Sequence, residues 1–508
     1  MNKKETLVIV LVALSITLCV QHYEKNIYPH KEELFTTSTT CSKCHDRLID
    51  VSGRDVSIYS DWQQSIHSNA AVDPYFLAKL SSETAEFPEL KDEIEAECAR
   101  CHMPLASAQA ASEGFKLTVS EGLREDYEFH DFAIEGVSCT ICHQIENRDL
   151  GKESSFSGHY VIDFTTKKPQ RKIYGPFDPS WPELMAGASG YRPVKGEVVE
   201  RAELCAICHT LYTPTIENGK VIGTFPEQTP FLEWLNSIYS QNITCQMCHM
   251  KAGKAKVTTM PKNAPLRDMK AHYFVGANVQ ILKIQGDEVG AKRSETQLKS
   301  AARIKIESVE LEKGKIVIKV TVENFAGHKF PTGFPSRRAF IHLFVEDSSG
   351  KVFESGKYYS DGRIEGEDEP FEPHHDVVGS EGDVQIYESI MVNKDGRVTR
   401  TLLEAFGYVK DNRILPEGFE KSRAHPDTLV RGLAATDTNF VGGRDEVTYI
   451  VKGNFSKPIR VVAELMYQPV SYPFLRSLHP TEQTKSFEAV IGKVEKTTLV
   501  SSDVRILD

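Results

Sequence analysis

Cys139-Thr140-Ile141-Cys142-His143 places two thiols three positions apart with a histidine directly behind the second. The same spacing recurs as Cys41-Ser-Lys-Cys44-His45, Cys98-Ala-Arg-Cys101-His102, Cys205-Ala-Ile-Cys208-His209 and Cys245-Gln-Met-Cys248-His249. Ten of the 11 cysteines fall in these copies, and only Cys19 is left over. With 11 cysteines and 17 histidines in 508 residues, one chance match is expected about 0.008 times. Five copies are therefore no coincidence.

The pattern is that of c-type haem attachment. Two thiols separated by two residues meet the two vinyl groups on one porphyrin edge as thioethers, and the adjoining histidine faces the iron. The alternatives are zinc, which wants four cysteines or three cysteines and a histidine, and disulfides. Zinc does not need a histidine after every second cysteine, and five pairs do not divide into whole four-cysteine sites. The expectation is five haem c groups per chain, held by Cys41 and Cys44, Cys98 and Cys101, Cys139 and Cys142, Cys205 and Cys208, and Cys245 and Cys248. His45, His102, His143, His209 and His249 are then the proximal ligands. Five haems between Cys41 and His249 leave about 42 residues each, too few for five separate protein cores. The cofactors must form much of the core and lie close together, which implies an electron conduit.

Each iron has a further axial position, filled by a second histidine in a carrier or left open for a substrate. His67 lies in Trp62-Gln-Gln-Ser65-Ile66-His67-Ser68, and a related stretch, Trp234-Leu-Asn-Ser237-Ile238-Tyr239-Ser240, precedes the fifth motif. The recurrence points to one unit used twice, a short helix covering a haem, with His67 the part specific to the first copy. His272, among aromatic neighbours, is a second distal candidate, and His130 and His159 flank the third motif. His328, in the haem-free stretch Asn324 to Gly333, is a fifth, projected from a loop that Gly327, Pro331 and Gly333 stiffen.

Residues 1-23 carry Met-Asn-Lys-Lys followed by an apolar run, the pattern of an export signal, cleaved or retained as a membrane anchor. The body is thus expected outside the cytoplasm, in the periplasm or facing it from the membrane. The net charge of -11 excludes nucleic acid as a partner and suits redox proteins instead.

Residues 24-295 make the haem region, expected to be mainly helical and irregular. Residues 296-508 contain no cysteine and alternate in strand fashion, and the preceding Gly286 to Ser300 is a polar connector for which a helix is one option. Ile304 to Val309 with Ile316 to Val322, Ala339 to Glu346 with Lys351 to Glu354, and Glu488 to Leu499 read as hairpins. Val447 to Val451 and Arg460 to Met466 supply further strands. The expected architecture is an antiparallel β-sandwich of about seven strands. The acidic stretch Asp361 to Asp376 is either a calcium site or a solvated loop, and His374 and His375 within it are placed to reach across a domain boundary.

With these motifs in view, the haem region, from CxxCH through Trp-x-x-Ser-x-His to Cys-Gln-Met-Cys-His-Met, resembles the cytochrome c-554 type of multihaem cytochromes. The second half, with Gly-His-Lys-Phe-Pro-Thr-Gly-Phe-Pro-Ser-Arg-Arg and Pro-His-His-Asp, resembles a domain appended to bacterial multihaem cytochromes. Together the resemblances cover most of residues 36 to 508. They imply respiratory electron transfer through predominantly bis-histidine haems, proximal roles for the five motif histidines and a distal role for His67. All five motifs here end in histidine, unlike the lysine-ending motif at the catalytic haem of pentahaem nitrite reductases.

Three functions follow in order: an electron carrier, a multihaem reductase or oxidase of small nitrogen or sulfur compounds with one open haem, and a structural subunit of an extracellular cytochrome assembly. Whether the chain is an enzyme stays open at this level, and no residue is assigned as catalytic.

Overall fold

The computed structural model describes residues 33-508. The leader, the remaining cysteine Cys19 and the expected membrane anchor lie outside the described residues. Among the described residues, no helix is long and apolar enough to cross a membrane.

In the first half every Cys-x-x-Cys-His motif is a helical turn. The helices Ser38–His45, Lys91–His102, Ala202–His209 and Cys245–His249 each end on the motif histidine, and Cys139–Cys142 is capped by His143. The reason is geometric: residues three and four apart share one helix face, so both thiols and the imidazole project to the same side. Between these helices the chain forms small sheets as well as irregular segments. Leu211–Glu217 pairs antiparallel with Lys220–Gln228, Ala252–Lys256 with Leu266–Lys270, and Lys172–Gly175 runs parallel to Arg192–Lys195.

The polar connector is a helix, Glu288–Ala301, capped by Asp287 and leading directly into the strand Ala302–Glu312. Beyond it, two sheets face one another across a shared apolar core that includes Ile306, Ile318 and Val320 from one and Ile341, Leu343 and Val461 from the other. One sheet runs in the order Gly350–Ser355, Arg338–Asp347, Ile459–Gln468, Thr498–Leu507, with Ile386–Tyr387 also paired to Arg338–Asp347. The other runs Val377–Val378, Arg444–Lys452, Lys315–Asn324, Ala302–Glu312. The alternating burial of Arg444–Lys452 and Ala302–Glu312 is what a half-buried strand requires.

Two expectations need correction. The sheets are not wholly antiparallel, because Val377–Val378 runs parallel to Arg444–Lys452. Glu488 to Leu499 is not a hairpin: Glu482–Ile491 is a helix and only Thr498–Leu507 is a strand. Thr484, Phe487 and Ile491 are buried three and four positions apart, the helical period, and a reciprocal Thr481–Thr484 capping box starts the helix.

The halves are joined by a buried ionic network. Glu233, fully buried in the helix Pro230–Leu235, accepts from the backbone N–H of Lys329 at 3.1 Å and the Thr332 hydroxyl at 2.6 Å, and pairs with Arg413 at 2.9 Å. Arg413 also pairs with Asp411 at 2.7 Å, and Asp411 with Lys329 at 2.6 Å. Two carboxylates and two cations thus share one dry site and balance in charge. Burial by itself would raise the Asp411 carboxyl, but Arg413 and Lys329 outweigh it and hold it at about 2.

A buried set of this kind fails badly when one member is removed. Glu233→Gln leaves the Arg413 charge half-compensated and is expected to destabilise the fold by about 3 to 5 kcal/mol in a denaturant titration followed by circular dichroism. Asp411 has a lowered folded pKa, so its contribution is complete above the unfolded value of about 4 and is lost as pH falls toward about 2. An acid titration of the wild type should show stability falling across that window.

Candidate functional site

The five motifs converge. Cys41, Cys44, His45, Cys98, Cys101, His102, Cys139, Cys142, His143, Cys205, Cys208 and His209 all line one largely apolar cavity of ≈ 1180 Å³. The fifth motif stands at its edge, with Gln246 and Met250 on the wall and Cys248 exposed. Thiols of different motifs lie close enough to shift one another's titration: Cys41 and Cys139, Cys101 and Cys208, and Cys205 and Cys245. Cys142 lies within electrostatic reach of Cys205 and Cys208. The motifs therefore form a connected series, first to third to fourth, with the second and fifth both joined to the fourth.

The histidines are prepared in a consistent way. The Nδ1 atoms of His45, His102, His143 and His249 donate to the carbonyls of Val257, Ala70, Tyr174 and Val275 at 2.6, 2.9, 2.5 and 2.5 Å. Each bond fixes the tautomer and leaves the Nε2 lone pair free for a metal. His272 and His328 do the same toward the carbonyls of Lys270 and Lys329, both at 2.9 Å. Burial pushes the imidazoles down from their ordinary value, to about 3 for His67 and His272 and about 4 for His102 and His209. His45, His143, His249 and His328 shift the same way for the same cause. All eight are neutral at pH 7, the form that ligates.

Three motif histidines face a second histidine. His67 and His209 have ring centroids 6.1 Å apart, His143 and His272 6.3 Å, and His249 and His328 6.2 Å. Two imidazoles bound through nitrogen to one metal, each nitrogen about 2.0 Å from it and each ring centre about 1.1 Å further back, have centroids about 6.2 Å apart. The spacing in all three pairs fits two imidazoles that would hold one iron between them. Among the described residues, no ring pairs with His45 or His102 in this way, and His102 stacks on Phe76 with centroids 3.6 Å apart.

The repeated tryptophan unit is structural. In both copies the indole sits in a short helix, Ile58–Gln63 or Pro230–Leu235. The Ser65 and Ser237 hydroxyls donate to the carbonyls of Trp62 and Trp234, both at 2.7 Å, and those of Ser68 and Ser240 to Ser65 and Ser237, both at 2.9 Å. The Trp62 indole N–H donates to Val137 at 2.8 Å and the Trp234 indole N–H to Ile243 at 2.9 Å. Val137 and Ile243 each lie two residues before a motif cysteine, so each unit braces the approach to a motif, the third and the fifth. Where the first copy presents His67, the second presents Tyr239, and the ring that faces His249 comes instead from the loop at Gly327. A Cβ on that glycine would stand 3.2 Å from the Trp234 ring, so the loop lies directly on the second unit.

Phe274 is one of the aromatic neighbours of His272. Its ring is 4.5 Å from His67 and 5.6 Å from His272, between two of the imidazole pairs, and its φ of 42° is unusual for a bulky side chain.

His130 and His159 are not brought to a motif histidine. The His130 Nδ1 donates to Gly122 at 3.0 Å, and neither residue lines the cavity. His159 is exposed, with Nδ1 on the Phe156 carbonyl at 2.6 Å and Nε2 accepting from Arg100 at 3.1 Å. The carboxylates of the acidic stretch are taken separately: Asp361 by Arg363, Glu365 by Lys357, Glu367 by Arg338 and Glu372 by His375. They do not converge as calcium requires.

Zinc fares no better at the motifs, since among the described residues no three of their cysteines and histidines gather as metal ligands. The group that does gather, His374, Asp437 and Asp445, holds a proton where a metal would need a lone pair. The amide N–H groups of Gln385 and Asn412 both point at His374 Nδ1, at 2.8 and 3.0 Å, so Nε2 carries the hydrogen and donates to Asp437. Those amides are fixed by other bonds: Gln385 Oε1 accepts from the His375 N–H, and Asn412 Oδ1 from the Glu388 N–H.

A haem fits the motif residues on a further count. Gly158 has a φ of 78°, and a Cβ there would stand 3.0 Å from Cys101 Sγ and 2.8 Å from the Arg100 side chain. The glycine keeps the second motif's thiol clear. Gly158→Ala is expected to lower thioether formation at Cys98 and Cys101 while leaving the other four motifs loaded, as read from the masses of the motif peptides.

No family model and no curated protein matches the chain. Among solved structures, a penta-heme cytochrome c552 from Thermochromatium tepidum shares its fold, with a TM-score of 0.55 at 14% identity over 94% of this chain and 100% of that one.

Proposed function

We propose that this chain is a pentahaem c-type cytochrome of the respiratory, exported kind, passing electrons along closely spaced and mostly bis-histidine haems. The observation that carries this reading is the set of three imidazole pairs at 6.1, 6.3 and 6.2 Å, each joining a motif histidine to a histidine elsewhere in the chain. The cysteine pairs of the five motifs would hold the porphyrins by thioethers. His67, His272 and His328 would serve as the distal ligands for the fourth, third and fifth motifs. The bound haem supplies one-electron chemistry.

The residues of the chain do the rest. Backbone carbonyls orient the proximal rings, burial keeps the imidazoles neutral, and an apolar cavity excludes water. The contacts between motifs support a path from the first motif through the third to the fourth, branching there to the second and the fifth. The exposed Cys248 makes the fifth the natural point of exchange with a redox partner protein. The two-sheet half, read as a β-sandwich module, would be part of the electron path because it lends His328 to the fifth iron. The leader and the covalent attachment support an exported location, and the acidic charge supports redox proteins over nucleic acid as partners.

The pyridine haemochrome assay should give five haems per chain. Electron paramagnetic resonance should show at least three low-spin haems, and His67→Ala, His272→Ala and His328→Ala should each convert one of them to high spin. His159→Ala, at an exposed and Arg100-bonded position, should leave the count unchanged. A wild type with fewer than three low-spin haems, or distal variants with unaltered spectra, would overturn the assignment.

A further inference from the structure

Of the buried carboxylates lining the cavity, Asp73, Glu83 and Glu227, only Glu227 among the described residues has neither a salt bridge nor a helix N-terminus to hold it. It is buried, at 4% exposure, in the strand Lys220–Gln228, as the extra residue where the register shifts between Leu211 and Tyr212, just after the fourth motif. Among the described residues, its side chain has one hydrogen-bond partner, the amide of Gln228 at 3.2 Å. The cation that acts on it is committed elsewhere: Lys79 pairs with Glu83 at 2.6 Å and donates to the Arg400 carbonyl at 2.8 Å. Glu83 is further held by the N–H groups of Leu402 and Leu403.

The groups facing Glu227 come from several elements. The helix Pro74–Glu86 contributes Lys79, Glu83 and the buried Tyr75. The helix Lys91–His102 contributes Cys98, whose thiol is raised by burial first and then by Glu227 among the nearby charges. The strand Gly407–Asp411 contributes Tyr408, whose hydroxyl donates to the Glu227 backbone carbonyl. Asp73 and Arg337 act with Glu227 on Tyr75, and Arg337 is held by the Thr332 carbonyl and the Asn278 amide oxygen. None of these supplies a salt bridge.

A buried carboxylate without a cation is costly in its charged form. Burial raises the Glu227 carboxyl to about 7, with Glu83 adding to the shift. An electron arriving on a nearby iron adds a unit of negative charge to the same low-dielectric space, which disfavours the carboxylate further. Resting on the assignment of a haem to Cys98, Cys101 and His102, we propose that Glu227 is a redox-linked proton site, taking up one proton from solvent when that haem is reduced and releasing it on oxidation. The step balances: ferric haem, carboxylate, one electron from a donor protein or dithionite and one proton give ferrous haem and carboxylic acid.

The test is a spectroelectrochemical titration of the loaded full chain at several values between about pH 6 and 8. In the wild type, one component should become harder to reduce as pH rises, approaching a tenfold change in its equilibrium per pH unit, about 59 mV for a one-electron couple. In Glu227→Gln, loaded with the same five haems, that component should lose its slope over this range. A slope that persists in the variant would assign the proton to another group, such as a haem propionate, and overturn the proposal, as would a wild type with no slope. Absence of haem from the Cys98–Cys101 peptide would instead overturn the underlying assignment. Should Glu227→Gln fail to assemble, the reduced-minus-oxidised infrared spectrum of the wild type decides the matter. A protonated-carboxyl C=O band gained on reduction, and shifted in Glu227→Asp, is the expected result, and its absence would overturn the proposal.

Discussion

Glu233 holds the molecule together at its most demanding point. His249 and His328 hold their ring centroids 6.2 Å apart although they come from segments with no covalent connection nearby. The dry network of Glu233, Arg413, Asp411 and Lys329 supplies the rigidity. Lys329 is the residue after His328, and its backbone N–H and side chain are both held in that network. Asn324 fastens the other end of the loop, donating to the carbonyls of His328 and Ile414. Such ionic clusters contribute little net stability against an apolar alternative, but they are intolerant of displacement.

The first half solves the same problem by repetition. A tryptophan helix and two serines brace the chain before the third motif and again before the fifth, with matching hydrogen bonds. The histidine is the variable part. In the first copy it is carried on the unit itself as His67, and in the second its place is taken by Tyr239 while the ring facing His249 comes from His328 in the second half. In both copies the scaffold stands beside an imidazole pair, and in the second this brings the two-sheet half close against the motifs.

Electrostatics in the cavity follow from its walls. Apolar surface keeps the imidazoles neutral and makes each uncompensated charge expensive. Most acidic groups there have an answer: Glu83 has Lys79, and Asp73 caps the helix Pro74–Glu86 by accepting from the N–H groups of Tyr75 and Phe76. Glu227 has only an amide, which is why it stands out as the group most responsive to an added electron.

The sequence by itself determined the chemistry and much of the local form. The spacing of Cys139, Cys142 and His143 and its four repeats dictates a helical turn presenting two thiols and an imidazole, and the alternation from Ile304 to Val322 dictates a hairpin. These rest on contacts between near neighbours, for which spacing is sufficient information. It misled where local pattern was ambiguous, as at Glu482–Ile491, where three buried residues at helical spacing outweigh β-branched neighbours. Only the tertiary structure decided which histidine faces which: His67 with His209, His272 with His143, His328 with His249, and His159 with Arg100 instead. Those pairings span up to 142 positions of chain between His67 and His209, and no local signal encodes them. They are fixed by how the helices, the Trp62 and Trp234 units and the Glu233 network pack, because burial and close approach are properties of the whole fold and not of any stretch within it.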